Sequence, residues 1–169
     1  MESKLVYLSL GSNIGDREKS LNDALESLAQ QQIHIIARSS LYETEPQDVV
    51  DQPWFLNIVV ACETRYFPLQ LLQILQRCER ELGRVRGNAI RRRGPRIIDI
   101  DILLYGNVTL DTPPLSIPHP RMLQRRFVLE PLLEIAPNLK FPGTNKPLKS
   151  YLSSVATQQT RKRTQPGKE

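Results

Sequence analysis

Two carboxylates, Asp99 and Asp101, stand in an otherwise apolar run at residues 97–104. The β-branched and apolar residues of this run, bounded by Pro95 and Gly106, predict a buried strand. Side chains two positions apart on a strand point to the same face, so the two carboxylates should share one face. Because buried like charges destabilise each other, either one carboxyl is protonated or cations lie between the two.

Six arginines precede this strand within residues 84–96, and no acidic residue lies among them. They are Arg84, Arg86, Arg91, Arg92, Arg93 and Arg96. Carboxylates suited to Mg²⁺ beside guanidinium groups suited to phosphate predict a site for a metal-bound polyphosphate. The loop 87–94 has glycine at both ends, which predicts mobility in the free protein and closure over substrates. For Arg91, Arg92 and Arg93, a solvated basic loop is an equal alternative.

The net charge of +5 is unevenly distributed along the chain. The arginine-rich loop carries +6 and the segment from Gln158 onward carries +3, which leaves −4 for the remainder. This distribution argues for a local anion site rather than a broad basic surface. We expect a single domain at residues 1–157 and a basic, disordered tail at residues 158–169. No apolar run is long enough for a transmembrane helix and no secretory signal is recognisable, so we expect a cytoplasmic protein.

The periodicity of apolar residues predicts the element order β-α-β-β-α-β, which is a ferredoxin-like α+β fold. Asp16 suits the N-cap of the first helix, and Pro68 suits the first turn of the second. The helices should cover one face of the sheet and form an α/β sandwich, with short C-terminal additions after the core. The four strands are expected at residues 4–10, 33–43, 55–64 and 97–104.

Several motifs follow one another at characteristic intervals. They are Gly11-Ser12-Asn13, Ser40-Leu41-Tyr42-Glu43-Thr44, Gln52-Pro53-Trp54-Phe55-Leu56-Asn57, Gly83-Arg84-Val85-Arg86, the run from Arg93 to Leu104, and Ile117-Pro118-His119-Pro120-Arg121-Met122. Together they resemble the signature of the 6-hydroxymethyl-7,8-dihydropterin pyrophosphokinases over residues 4–150. The resemblance implies a ferredoxin-like fold and Mg-dependent transfer of diphosphate from ATP to the pterin hydroxymethyl group. The products would be AMP and the pterin diphosphate, in folate synthesis.

By this resemblance, Asp99 and Asp101 match the residues that hold two Mg²⁺ ions, and Arg84 and Arg96 match those that stabilise the transferred phosphates. These four are the predicted catalytic residues. ATP is the implied co-substrate. Its predicted contacts are Arg84, Arg86, Arg96, Ile102, Ser116, His119, Arg125 and Glu79. Without the resemblance, the aspartates could form a structural pair with arginine, His119 could be incidental, and Glu79 could be an exposed helical residue.

A pterin is a flat heterocycle that needs aromatic faces and a few polar contacts at its edge. Phe55 and Phe127 match the two rings that sandwich it in the family, although each taken alone suits a hydrophobic core. Asn57 matches the residue that reads the pterin edge, and Thr44 and Pro46 match residues that line the same pocket.

The chain departs from the family pattern at three places. Arg93 stands where an aromatic residue commonly precedes Gly94, so a guanidinium could stack over the pterin or that contact could be lost. Gln47-Asp48 replaces an apolar residue followed by glycine. Phe55 replaces a tyrosine found in some members, which keeps the ring and loses the hydroxyl.

Two other functions compete with this interpretation. A ferredoxin-like nucleic-acid-binding module would also use a basic loop and exposed aromatic residues. The acidic pair would repel its phosphates in the absence of metal. A regulatory ligand-binding domain would leave both the aspartates and the arginine loop without a role. We therefore expect small-molecule substrates, no nucleic-acid or membrane partner, and a monomer.

Overall fold

The computed structural model describes residues 2–83 and 95–164. The first half of the fold comprises β1 (Lys4–Ser12), α1 (Arg17–Gln30), β2 (His34–Arg38), β3 (Tyr42–Thr44), β4 (Phe55–Thr64), α2 (Pro68–Glu81) and β5 (Asp99–Tyr105). After these come β6 (Leu110–Asp111), β7 (Ser116–Ile117), a 3₁₀ turn (Met122–Gln124), α3 (Arg126–Ile135), a 3₁₀ helix (Leu148–Val155) and β8 (Thr160–Lys162).

The main sheet is antiparallel, with β1 between β5 and β4, and with β2 and β3 both paired to the other edge of β4. This arrangement confirms the predicted β-α-β-β-α-β order and the ferredoxin-like α+β class. The predicted second strand over 33–43 is divided into β2 and β3. At the break, Ser39 donates its backbone N–H to the carbonyl oxygen of Val59 at 2.9 Å and accepts the N–H of Val59 on its hydroxyl at 3.0 Å.

The two faces of the sheet have separate hydrophobic cores. On one face, α1 and α2 contribute Leu28 and Leu75 to a cluster that includes Leu8 of β1. On the other face, Val59 and Leu103 pack in a second cluster with residues of α3 and of the 3₁₀ helix. The second cluster lies toward one end of its face, so the other end is left for polar side chains.

The helix ends confirm the predicted capping residues. The Asp16 carboxylate accepts the backbone N–H of Lys19 at 3.1 Å, and α2 begins at Pro68. Gly83 follows α2 with a φ of +98°, a left-handed conformation that favours glycine at a helix C-terminus. None of the helices within the described ranges has the length and apolar character required to cross a bilayer.

The expectation of a disordered tail from residue 158 is wrong for the part that the structure describes. β8 pairs antiparallel with β3, with Thr160 opposite Thr44 and Lys162 opposite Tyr42. The backbone N–H of Arg163 continues the contact to the carbonyl oxygen of Leu41 at 2.8 Å. The prediction of disorder relied on the high local charge. Instead, β8 is held by hydrogen bonds to the edge of β3, which lies more than a hundred residues away in sequence. Residues 165–169 lie outside the described part.

Candidate active site

A polar cleft of about 540 Å³, partly open to solvent, lies at the uncovered end of the second sheet face. Among the described residues, eight that the sequence singled out line it: Thr44, Phe55, Asn57, Arg96, Asp99, Asp101, Arg125 and Phe127. The four charged residues Arg96, Asp99, Asp101 and Arg125 could bind phosphate and metal. The remaining four provide two aromatic rings and two polar groups. The cleft thus joins the two chemistries that the sequence predicted separately.

Strand register explains why these residues meet. Gly11 in the central strand β1 is opposite Asp99 on β5 and Asn57 on β4, while Ser9 is opposite Asp101. Residues directly opposite in an antiparallel sheet share a face, and neighbouring strands lie about 4.8 Å apart. The carboxylates and the amide of Asn57 are therefore separated by one strand that carries only small side chains at this level.

The two carboxylates have different electrostatic environments. Asp99 accepts a hydrogen bond from Arg96 Nη1 at 2.6 Å. Burial and, to a smaller extent, the neighbouring charge of Asp99 raise the pKa of Asp101 to about 7, against the lowering effect of Arg125. A cation between the carboxylates would stabilise both charged forms.

The carboxylate pair fits Mg²⁺. Within the described ranges, no group of three or more His, Cys, Asp or Glu residues is arranged to hold a metal. Mg²⁺ does not require such a cage, because it retains several waters and binds through one or two carboxylates together with substrate phosphates. Asp99 and Asp101 supply that donor set on the wall of a cleft that also contains Arg96 and Arg125.

Glu79 is buried rather than exposed, with 1% of its surface accessible. Its Oε1 accepts the backbone N–H of Ile100 at 2.9 Å, so the carboxylate binds β5 between the two aspartates. Its charge also contributes to the raised pKa of Asp101. Glu79 does not line the cleft; it acts on the aspartates from the opposite side of their strand.

His119 lies beside the cleft rather than on its lining. Its backbone N–H donates to the carbonyl oxygen of Leu103 at 2.9 Å, and its Nδ1 accepts the backbone N–H of Arg121 at 3.1 Å. Burial, with a further contribution from Arg125, lowers the pKa of His119 to about 4. The imidazole is therefore neutral at pH 7, and its proton lies on Nε2, where it can be donated.

Three further predicted residues that the structure describes are absent from the cleft lining. Ile102 is 3% exposed and packs in the core beneath α1 and α2. The hydroxyl of Ser116 donates to Asp111 Oδ1 at 3.3 Å. Pro46 is buried next to Gln47, which does line the cleft. Arg84, Arg86, Arg91, Arg92 and Arg93, and the proposed closing loop, lie outside the described residues.

Five residues of the lining had no assigned role in the sequence analysis: Ser9, Gly11, Gln47, Asp48 and Gln52. Asp48 reaches Arg121 Nη1 at 3.1 Å and Arg125 Nη2 at 3.9 Å. The departure at Gln47-Asp48 therefore brings a carboxylate toward the basic side of the cleft. Ser9 could have been found from its small polar side chain on the same strand face as Gly11.

Asn13 connects Arg96, one of the two described arginines that line the cleft, to the loop before β4. Its Oδ1 accepts the backbone N–H of Arg96 at 2.7 Å, and its own N–H donates to the Arg96 carbonyl oxygen at 3.0 Å. Its Nδ2 donates to Gln52 Oε1 at 2.9 Å and to the Pro53 carbonyl oxygen at 3.0 Å. The Gly11-Ser12-Asn13 motif thus positions both Arg96 and the loop that carries Gln52, two lining residues of the cleft.

Comparison with known families identifies residues 7–137 as a 7,8-dihydro-6-hydroxymethylpterin-pyrophosphokinase (HPPK) domain. This match covers well over half of the chain. The chain belongs to the HPPK family. The family consists of pyrophosphokinases, which are transferases that use ATP as co-substrate.

Relatives named 2-amino-4-hydroxy-6-hydroxymethyldihydropteridine pyrophosphokinase agree with the HPPK assignment. The Methylorubrum extorquens protein is 47% identical over 138 residues, covering 81% of this chain and 85% of the relative. The Bacillus subtilis protein is 43% identical over 144 residues, covering 85% and 84%. The folic acid synthesis protein fol1 of Pneumocystis carinii is 43% identical over 155 residues, and the chain spans 20% of its length.

Solved structures support the HPPK fold. The Plasmodium falciparum HPPK-DHPS structure with pteroate superposes with a TM-score of 0.72, covering 90% of this chain and 42% of that one. Sequence identity in this comparison is 17%, so it bears on the fold alone.

Gly11→Ala is expected to damage the uncharged side of the cleft. A Cβ at Gly11 would lie 2.5 Å from Asn57 Oδ1, and Asn57 is held by a hydrogen bond from its Nδ2 to Thr44 Oγ1. The amide must move, and we expect affinity for 6-hydroxymethylpterin to fall by about tenfold or more, measured by calorimetric titration. Ser12→Ala is the matched control, because its buried hydroxyl has no hydrogen-bond partner in the described structure. Equal affinity in Gly11→Ala and the parent protein would contradict the expectation.

Proposed function

We propose that this chain transfers the β,γ-diphosphate of ATP to 6-hydroxymethyl-7,8-dihydropterin, giving AMP and the pterin diphosphate in folate biosynthesis. The observation that carries the proposal is the cleft in which Asp99, Asp101 and Arg96 lie on the same surface as Phe55 and Asn57. Family membership supports the reaction, and the cleft supplies groups for each substrate.

The reaction forms one P–O bond and breaks another. The pterin hydroxymethyl oxygen attacks the β-phosphorus and loses its proton, while the bond from that phosphorus to the oxygen bridging the α-phosphorus breaks. AMP leaves with the bridging oxygen. Such transfers depend mainly on the alignment of the attacking and leaving oxygens and on neutralisation of phosphate charge.

Asp99 and Asp101 would hold two Mg²⁺ ions with the ATP phosphates. The ions would neutralise charge on the phosphate oxygens and align the diphosphate for transfer. Arg96, which already donates to Asp99, is held at its backbone by Asn13 and would donate to a phosphate oxygen. Arg125, which also lines the cleft and whose charge lowers the pKa of Asp101, would add a second positive charge.

Further ATP contacts are proposed for residues around the cleft. His119 is neutral and would offer its Nε2–H to a phosphate oxygen, since Nδ1 is already an acceptor. Arg84 and Arg86 would add guanidinium groups, and Ile102 and Ser116 would border the adenosine. Glu79 would act indirectly by holding the backbone of β5 between the aspartates.

Phe55 and Phe127 would stack on the two faces of the pterin, with Pro46 behind the loop that carries Gln47. Asn57 Nδ2 donates to Thr44 Oγ1, which orients the amide so that its oxygen lies toward Gly11. That oxygen can accept an N–H group from the pterin edge. The guanidinium of Arg125 lies 5.4 Å from the centroid of the Phe127 ring and would keep this ring beside the phosphate site.

A cleft this small, with two half-buried carboxylates on its wall, suits a small metal-bound substrate better than a nucleic-acid strand. We also infer that the pyrophosphokinase domain extends at least to Arg163, past the boundary at residue 157 expected from sequence, because β8 belongs to the main sheet.

The proposed reaction predicts that purified protein releases one AMP per pterin diphosphate when supplied with ATP, Mg²⁺ and 6-hydroxymethyl-7,8-dihydropterin. Chromatographic separation of the nucleotides and pterins measures both products. Formation of ADP instead of AMP, or equal turnover with excess EDTA, would contradict the proposal.

A further inference from the structure

Residues 158–163, which we term the C-terminal strap, lie beyond the HPPK-matched residues 7–137 and connect two walls of the cleft. The strap includes β8 and contributes no residue to the cleft lining that the structure describes. Its contacts are with Thr44 of the lining, through the strand ladder, and with residues adjacent to the lining. It therefore lies where it can position the cleft without touching a substrate.

The first wall is the end of β3 and the loop after it. The Gln159 carbonyl oxygen accepts the Glu45 N–H at 3.2 Å, and the Gln159 N–H donates to Glu45 Oε1 at 2.8 Å. In the same ladder, Thr160 is opposite Thr44, which lines the cleft. Glu45 thus connects the strap to the segment that carries Gln47.

The second wall is the start of α3. Gln158 Oε1 accepts the backbone N–H of Arg126 at 2.9 Å, and the Gln158 carbonyl oxygen accepts Arg126 Nη1 at 2.9 Å. Gln158 Nε2 donates to the carbonyl oxygen of Gln124 at 2.8 Å. Arg126 stands between Arg125 and Phe127, which both line the cleft, so Gln158 holds the backbone of this wall from behind.

Arg163 anchors the far end of the strap. Its Nε and Nη2 donate to Glu43 Oε1 at 3.0 and 2.6 Å. The same oxygen accepts Arg17 Nη2 at 3.0 Å, and Arg17 Nη1 donates to the carbonyl oxygen of Trp54 at 3.1 Å, next to Phe55. The hydrogen bond from Arg163 is the main cause that lowers the pKa of Glu43, so this carboxylate is charged at neutral pH.

We propose that the C-terminal strap sets the spacing between the two walls of the pterin side of the cleft, with Gln158 and Arg163 as its positioning residues. The strap joins β3 to α3, and these elements carry Thr44 on one wall and Phe127 on the other. The identity of the ligand as a pterin rests on the proposed function; the mechanical role of the strap does not.

The test compares Gln158→Ala and Arg163→Ala with two matched controls in the same strap. Gln159 binds Glu45 through its backbone alone, and Arg161 lies opposite Glu43 in the β3–β8 register. The exposed side chains of Gln159 and Arg161 make no hydrogen bond or ion pair with the described residues, so Gln159→Ala and Arg161→Ala are the controls.

Calorimetric titration with 6-hydroxymethylpterin, and separately with a non-hydrolysable ATP analogue and Mg²⁺, gives the two affinities. We expect pterin affinity to fall by about tenfold in Gln158→Ala and Arg163→Ala, with affinity for the ATP analogue within about twofold and both controls unchanged. Arg163→Lys should restore part of the loss, because lysine keeps the charge but not the paired donors. Equal loss for both ligands, no loss, or the same loss in the controls would overturn the proposal.

Hydrogen exchange of the unliganded protein provides a readout independent of the substrate. Amides of residues 44–53 should exchange faster in Gln158→Ala and Arg163→Ala than in the controls, since the walls lose their connection. If the parent protein forms no AMP and pterin diphosphate, the proposed function fails, and this exchange alone decides the role of the strap. If Arg163→Ala does not fold, Gln158→Ala gives the deciding result. Unchanged exchange of the amides at residues 44–53 in a folded variant would overturn the proposed role of the strap.

Discussion

Asp101→Asn is expected to lower the rate of AMP formation by at least about a hundredfold while the protein remains folded. Asparagine has nearly the same shape but lacks the charge that holds a metal. The substitution also removes a half-buried carboxyl that is adjacent to Asp99 and that desolvation makes difficult to ionise. The folded state in metal-free buffer should therefore be as stable as the parent protein or more stable.

Two measurements distinguish loss of metal binding from loss of structure. Thermal unfolding with and without Mg²⁺ should show stabilisation by the ion in the parent protein and its loss in Asp101→Asn. Asp23→Asn is the matched control, because it removes an exposed carboxylate that pairs with Lys19 on α1. Its turnover and its response to Mg²⁺ should be unchanged. Undiminished turnover in Asp101→Asn would rule out the metal role.

The order of the elements could be predicted because each long helix and strand carries its own periodicity and terminal signals. Asp16 and Pro68 mark helix starts through local chemistry that needs no distant partner. The break between β2 and β3 has no such signal. It arises because the backbone and hydroxyl of Ser39 bind Val59, which is twenty residues away in sequence.

The composition of the site was predictable to the extent that its residues stand in recognisable motifs. Asp99, Asp101 and Asn57 meet because of strand register, which alternation along each strand specifies once the sheet order is known. The burial of Glu79 against β5 and the pairing of the strap with β3 were not predictable in this way. Glu79 and the basic strand β8 each depend on backbone partners in other segments of the chain. Their charge alone would predict exposure to solvent for both.

Arg96→Ala is expected to lower kcat/KM by about a hundredfold to a thousandfold. In the free protein Arg96 Nη1 donates to Asp99 at 2.6 Å, and Asn13 holds the Arg96 backbone at both its N–H and its carbonyl oxygen. A guanidinium placed in this way would support the metal-binding carboxylate and also bind a phosphate oxygen. Arg96→Lys should recover only part of the loss, because an ammonium lacks the planar fork.

A double-mutant cycle with Asp99→Asn separates the two roles of Arg96. If Arg96 acted only through its ion pair, adding Arg96→Ala to Asp99→Asn would cause no further loss of kcat/KM. We expect a further loss of about tenfold or more, because the phosphate contact is independent of Asp99. Arg77→Ala is the matched control, since Arg77 is an arginine on α2 that pairs with Glu81 and donates to Gln31. An additional loss below about twofold in the double variant would assign Arg96 to the support of Asp99 alone.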